Sequence, residues 1–296
     1  MTSTKTAQLR VHGTPAVATT AGDGEQAVLC VHGLASQRAL LTPLVERLAE
    51  AGYRALAPDL RGHGDSGGPR GLLSRDRVLA DLRAWHRWLE DEGTQLRAIV
   101  GHSLGGLWAL AAREHRGIDA LAMVATPASI RRETAWLERA IYRVGYRLQR
   151  LVDPLGLTLR VPNRVGLDDV LETEEAIESA RRLDLVQGSI PLANARELLA
   201  LDGPAMAADT EIPAIVARPT RDRLVPEAST RALYEALAGP RTWLEVDGPH
   251  ECFFDVTGRA CAQAIVDALA AALEGSHEGQ QDRDRKEQET DRSVSE

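Results

Sequence analysis

The sequence predicts an α/β fold, a mostly parallel sheet flanked by helices, and three observations predict it. Short β-rich runs alternate with helical patterns along most of the chain. The first helical pattern, 40–52, closes on a glycine, where helices commonly stop. The composition, 44% hydrophobic and 26% charged over 296 residues, can bury a sizeable core.

Taken in order, AVLCV (27–31) is a buried strand and LLTPLVERLAEAG (40–52) a helix. YRALAPD (53–59) is the next strand, RDRVLADLRAWHRWLEDEG (75–93) a helix and LRAIVG (96–101) a strand. LGGLWALAAREH (104–115) is helical and IDALAMVAT (118–126) extended. Strands return at IPAIVARP (212–219) and TWLEVDG (242–248), each followed by a helix, 229–239 and 258–275. Residues 127–210 form an insertion of helical rather than strand character, so the core comprises 1–126 and 211–274. Residues 275–296 carry seven acidic and four basic side chains with Val294 as the one aliphatic. Such a segment cannot offset its ordering entropy by burial and is expected to be a disordered tail.

Basic residues number 35 and acidic residues 43, a net charge of −8 that argues against a nucleic-acid partner. Cys30, Cys252 and Cys261 are odd in number and lack metal-ligand spacing, so neither a disulfide framework nor a zinc site is expected. The first residues lack an apolar leader and no run is long enough to span a membrane. A soluble, cytoplasmic protein is the expectation. There is no GxGxxG or phosphate-binding loop, so no nucleotide, metal or other cofactor is called for.

The strongest chemical signal is Gly101-His102-Ser103-Leu104-Gly105, between the strand 96–101 and the helix 104–115. A serine becomes a nucleophile only when exposed to a base and a substrate carbonyl, and a sharp strand-to-helix turn exposes it. The flanking glycines relieve crowding in such a turn. The Leu104 N–H, at the helix start, faces developing negative charge. Val31-His32-Gly33-Leu34 follows the strand 27–31 directly, and the Leu34 N–H is the natural second oxyanion donor. His32 could serve as a base, but its position suggests that it braces the loop.

The strings VLCVHGLAS, APDLRGHGDSGG and VGHSLGGLWAL resemble the α/β-hydrolase superfamily, and within it the lysophospholipase and monoacylglycerol-lipase-like group. The resemblance is strong over 27–126 and weaker over 212–274; it does not specify the insertion. It implies an α/β-hydrolase fold with a mostly parallel eight-stranded sheet and a triad in the order serine, acid, histidine; the insertion 127–210 is read from its own helical character as a lid. Asp59 and Ser66 of the middle string can hydrogen-bond locally and are not counted as catalytic. The pattern after the strand 212–219 matches Asp222, with Leu224, Val225 and Pro226 behind it, although the glycine often found before the acid is missing. Arg221 and Arg223 flank Asp222, and either could compete for it. His250 lies 28 residues later, just beyond the last strand, and no other histidine follows the acid at a strand end.

The implied activity is hydrolysis of a carboxylic ester through an acyl-enzyme on Ser103, Asp222 and His250. A small-molecule acyl ester of the monoacylglycerol or lysophospholipid type is the expected substrate. A thioesterase, aminopeptidase or perhydrolase would use the same residues, and a ligand-binding protein on a hydrolase scaffold is the non-catalytic alternative. In the insertion, Leu137, Ile141, Val144, Leu148 and Leu151 form an apolar stripe of a helix over 131–152. Arg139, Arg143, Arg147 and Arg150 recur on another face, with Trp136, Tyr142 and Tyr146 among them. One expectation packs the leucines on the core and solvates the arginines. The other brings the arginine face against anionic lipid or a phosphate-bearing substrate, with the aromatics entering the interface.

Overall fold

The first two strands, β1 (Lys5–Val11) and β2 (Thr14–Ala21), form an antiparallel hairpin absent from the sequence reading. Only His12 and Gly13 lie between them, with φ of 50° and 77°. Two left-handed residues in a two-residue loop match the twist of paired strands. β1 buries Ala7 and Val11 alone, so its apolar pattern is weak. The computed structural model describes residues 3–113, 117–133 and 136–275. The charged tail lies outside them from residue 276 onward.

Strand β3 (Gln26–Val31) is followed by α1 (Thr42–Glu50), β4 (Arg54–Pro58), α2 (Arg75–Asp91), β5 (Gln95–His102), α3 (Leu104–Ala111) and β6 (Ala120–Val124). β3 shows why its sequence is continuously apolar. Ala27, Leu29 and Val31 enter the cluster that contains Trp85 and Trp108, while Val28 and Cys30 enter the one on the opposite face. A strand buried on both faces has no polar alternation to show. Each fully buried leucine there stabilises the fold by roughly 1.5–3 kcal/mol.

Between β6 and the next long strand lie α4 (Ile130–Glu133), α5 (Trp136–Val152), β7 (Arg160–Pro162), α6 (Leu167–Val170), α7 (Glu174–Arg182), β8 (Ser189–Pro191), α8 (Ala195–Ala200) and α9 (Gly203–Ala207). The helical character expected here holds except at β7 and β8, which pair antiparallel as a separate two-stranded ladder. The apolar stripe of α5 does not pack on the core. Ile141, Val144, Leu148 and Leu151 are 51%, 55%, 49% and 73% exposed, because α5 rests on the rest of the protein through Gly145 and Gln149. At Gly145 a Cβ would come within 2.8 Å of the Leu192 side chain. The side chains of Trp136 and Leu137 lie outside those described.

The chain closes with β9 (Ala214–Pro219), α10 (Glu227–Ala236), β10 (Arg241–Val246) and α11 (258–275). The eight long strands form one sheet in the order β1-β2-β4-β3-β5-β6-β9-β10, antiparallel at the hairpin edge and parallel from β4 onward. It is the mostly parallel eight-stranded sheet that the resemblance implied. On one face lie α2 and α3; on the other Cys261, Ile265 and Leu269 of α11 pack with Leu44 and Leu48 of α1. Cys252 is fully buried with its sulfur 3.0 Å from that of Cys261, and both are thiols. The carboxyl ends of β3, β5, β9 and β10 emerge at one edge of the sheet, where ligands of open α/β folds bind.

Candidate active site

Ser103 sits between β5 and α3 with φ 53° and ψ −126°, a conformation that costs about 1–3 kcal/mol for a residue with a Cβ. The turn is held by the Ser103 N–H donating to Val124 O at 2.8 Å and the Gly106 N–H donating to Ser103 O at 3.0 Å. A Cβ on Gly105 would lie 2.1 Å from Val31 O, so the helix can start this close to β3 only with glycine there. The glycines flanking the serine thus permit close backbone approach, as the sequence reading required.

Gly33 and Leu34 follow β3 and approach the same point from the other side; a Cβ on Gly33 would come within 2.9 Å of the Ser103 Cβ. His32 is fully buried. Its Nε2 accepts from the Leu60 N–H at 3.1 Å, so Nδ1 carries the proton donated to Gly33 O at 2.8 Å. That imidazole ties the Gly33 loop to the loop after β4, a bracing role, and its pKa is lowered by burial. Asp59 stiffens the same region by accepting from the N–H groups of Arg38 and Asp65 and from the Arg38 guanidinium. Ser66 donates to Asp59 O, the local bonding expected of both residues.

His250, beyond β10, places Nε2 3.0 Å from Ser103 Oγ and Nδ1 2.9 Å from Asp222 Oδ2. The other Asp222 oxygen accepts from the N–H groups of Leu224 and Val225, both at 2.9 Å. Those two amides orient the carboxylate in the loop that lacks a glycine. Neither flanking arginine pairs with it among the described residues: Arg221 turns to Glu172, at 2.8 Å, and to Asp247. Burial works against the charged form of both partners. It is outweighed in His250 by the hydrogen bond and charge of Asp222, which raise the pKa above the ordinary histidine value. In Asp222 it is outweighed by His250 and the two amides, which lower the pKa.

A cavity of about 310 Å³ opens above these groups. Leu34, Ser103, Leu104 and His250 line its floor, and Ile130, Asn163, Val165, Val170 and Val186 of the 127–210 segment contribute to its walls. Two further carboxylates line this cavity, and the sequence reading missed Glu133. Glu133 accepts from Ser229 Oγ, and burial raises its pKa. Glu251 faces His102, with Oε2 3.5 Å from Nδ1. Glu133 does not signal itself locally, because it reaches the cavity through the packing of distant elements, whereas Glu251 directly follows His250. His102, His250 and Glu251 bring ligand-type atoms within 4.8 Å of one another, but both ring nitrogens of His250 are committed to Ser103 and Asp222.

Residues 22–256 match the family model described as serine aminopeptidase, S33. The chain belongs to this family. It is 28% identical over 237 residues to a monoacylglycerol lipase of Mycolicibacterium smegmatis, covering 76% of this chain and 80% of that one. A pimeloyl-[acyl-carrier protein] methyl ester esterase of Xanthomonas campestris pv. campestris is 32% identical over 261 residues, covering 83% and 95%. The crystal structure of a Paleococcus ferrophilus monoacylglycerol lipase superposes with a TM-score of 0.71 at 22% identity, over 92% of this chain and 99% of that one. This S33 member therefore has the α/β-hydrolase fold and is a hydrolase of the esterase and lipase kind. No helix among its described residues is long and apolar enough to cross a membrane.

Proposed function

We propose that the protein hydrolyses carboxylic esters through an acyl-enzyme on Ser103. The observation that carries this reading is the unbroken relay Ser103–His250–Asp222, at 3.0 and 2.9 Å. His250 Nε2 takes the serine proton as Oγ attacks the ester carbonyl, and Asp222 holds the proton on Nδ1 so that Nε2 is the basic nitrogen. The tetrahedral oxyanion is received by the N–H groups of Leu34 and Leu104. The imidazolium then protonates the leaving alcohol, and water attacks the acyl-enzyme by the same relay. No metal or cofactor enters this chemistry.

The walls Val165, Val170, Val186 and Val225 suit an acyl chain, and a monoacylglycerol or lysophospholipid-type ester is the substrate class assigned. Segment 127–210 acts as a lid over the core of 1–126 and 211–274. The three cysteine thiols favour a reducing, cytoplasmic setting. A panel of p-nitrophenyl esters from two to sixteen carbons, run beside monoacylglycerol, lysophosphatidylcholine and an aminoacyl p-nitroanilide, tests the reading. Turnover of the anilide alone would assign peptidase chemistry. No turnover, with no fluorophosphonate labelling of Ser103, would leave a ligand-binding scaffold.

Contact with a lipid surface through 131–152 is favoured by the exposure of Ile141, Val144, Leu148 and Leu151. Here the exposed apolar stripe, rather than the arginine face, is proposed to enter the interface.

A further inference from the structure

Three arginines of α5 face a groove. Arg131 of α4, Arg139, Arg143 and Arg147 of α5 and Arg196 of α8 line a cavity of about 420 Å³ together with Tyr142 and Tyr146. No described carboxylate lines it. Arg139 donates to Arg131 O at 2.9 Å. Arg143 and Arg147, one helical turn apart and exposed, form no ion pair among the described residues. Arg196 is hydrogen-bonded to Tyr146 and lies beside Glu197, and the guanidinium groups gathered in this concavity give it a positive potential that favours an anion. Guanidinium groups recognise carboxylate and phosphate by paired N–H donors.

The groove adjoins the candidate active site. A narrow cavity of about 80 Å³ lies between the two. It shares Leu34 and Ile130 with the cavity over Ser103, and Tyr142, Ala195 and Leu199 with the arginine groove. Its remaining walls are mostly apolar, with Val161, Ile190 and Leu198 among them. An apolar segment thus connects a nucleophile at one end to a cluster of cations at the other.

On the reading that Ser103 cleaves esters, we propose that the substrate carries an anionic group, carboxylate or phosphate, at the end of an apolar linker. Arg143, Arg147 and Arg196 hold that anion, and the linker lies in the cavity between Leu34 and Leu199 while the ester reaches Ser103. The arginines then set substrate class by selecting an ester charged at its far end.

The full-length chain is assayed on neutral p-nitrophenyl alkanoates and on the mono-p-nitrophenyl esters of α,ω-dicarboxylic acids of matched length. A second arm uses ω-phosphorylated alkanoates, which separates a carboxylate from a phosphate preference. In one or both arms the longer anionic esters are expected to exceed the neutral ones in kcat/KM by about tenfold or more, mainly through KM, and to lose this advantage as salt rises. The variant R143Q/R147Q/R196Q should bring the anionic-to-neutral ratio close to one. A wild-type ratio near one at every length in both arms, or an advantage that the variant retains in full, overturns the proposal. Loss of binding to anionic vesicles in the variant, with soluble esters showing no charge preference, overturns it too and assigns the arginines to a lipid surface. The wild-type comparison and its salt dependence need no variant, so misfolding of the triple variant leaves the proposal testable. Wild-type turnover of neutral esters without a charge preference sinks this inference alone; absence of turnover on every ester sinks the hydrolase reading beneath it.

Discussion

His102 Nε2 lies 2.8 Å from the carbonyl oxygen of His250, so the residue before the proposed nucleophile is tied to the residue that bears the proposed base. His102 is 1% exposed and packs edge-on against Phe253. The bond fixes the loop after β10 against the strand-to-helix turn and sets the distance across which the proton moves. His102→Ala leaves that buried carbonyl without its donor, at a cost of about 1–3 kcal/mol. We expect a lower Tm by thermal melt and a fall in kcat larger than any rise in KM.

Replacing Ser103 by alanine should lower kcat on p-nitrophenyl esters by about four orders of magnitude or more, with an unchanged far-UV spectrum. The hydroxyl contacts His250 and is not part of the packed core. Residual turnover beyond what oxyanion stabilisation supports, measured with active-site titration to exclude contamination, would remove Ser103 from the nucleophile role.

The Asp222→Asn variant should lose roughly three to four orders of magnitude in kcat, because an asparagine amide stabilises the wrong imidazole tautomer. The pH profile gives a second readout. His250 must be neutral to accept the serine proton, and its pKa is raised above 6.5 because Asp222 outweighs burial. The acid limb of kcat/KM should therefore have its midpoint above 6.5, with activity lost as pH falls through it. In Asp222→Asn the carboxylate that raises the pKa is gone, and the limb of the residual activity should move to lower pH. Full activity in this variant would point to Glu133 or Glu251, the other carboxylates lining the cavity.

Serine at Ile141 and Leu148 should weaken partition onto lipid vesicles by about tenfold or more, since each side chain would forfeit its transfer out of water. Both are about half exposed, so the thermal melt should shift little. Vesicle co-sedimentation equal for wild type and the double variant would leave the stripe as solvent-facing surface.

Local signals were enough for the strand 27–31, whose burial on both faces produces an unbroken apolar run, and for Ser103, whose turn needs only its own glycines and the strand and helix beside it. His250 could be ranked by its place after the last strand, which is again local, whereas Asp222 was picked out by the pattern that the resemblance implies. The hairpin was not legible, because β1 buries only two side chains and shows little periodicity. Burial against distant elements was out of reach altogether. That Arg221 turns from Asp222 to Glu172, that Glu133 meets Ser229 96 residues on, and that α5 buries Gly145 and Gln149 while exposing Ile141, Val144, Leu148 and Leu151 all follow from which elements come to lie opposite one another. Periodicity shows that a helix has two faces; the element packed against it decides which is buried. For α5 that element is the chain around Leu192 and α8, and it is this contact that turns a row of arginines into the wall of a cavity beside Ser103.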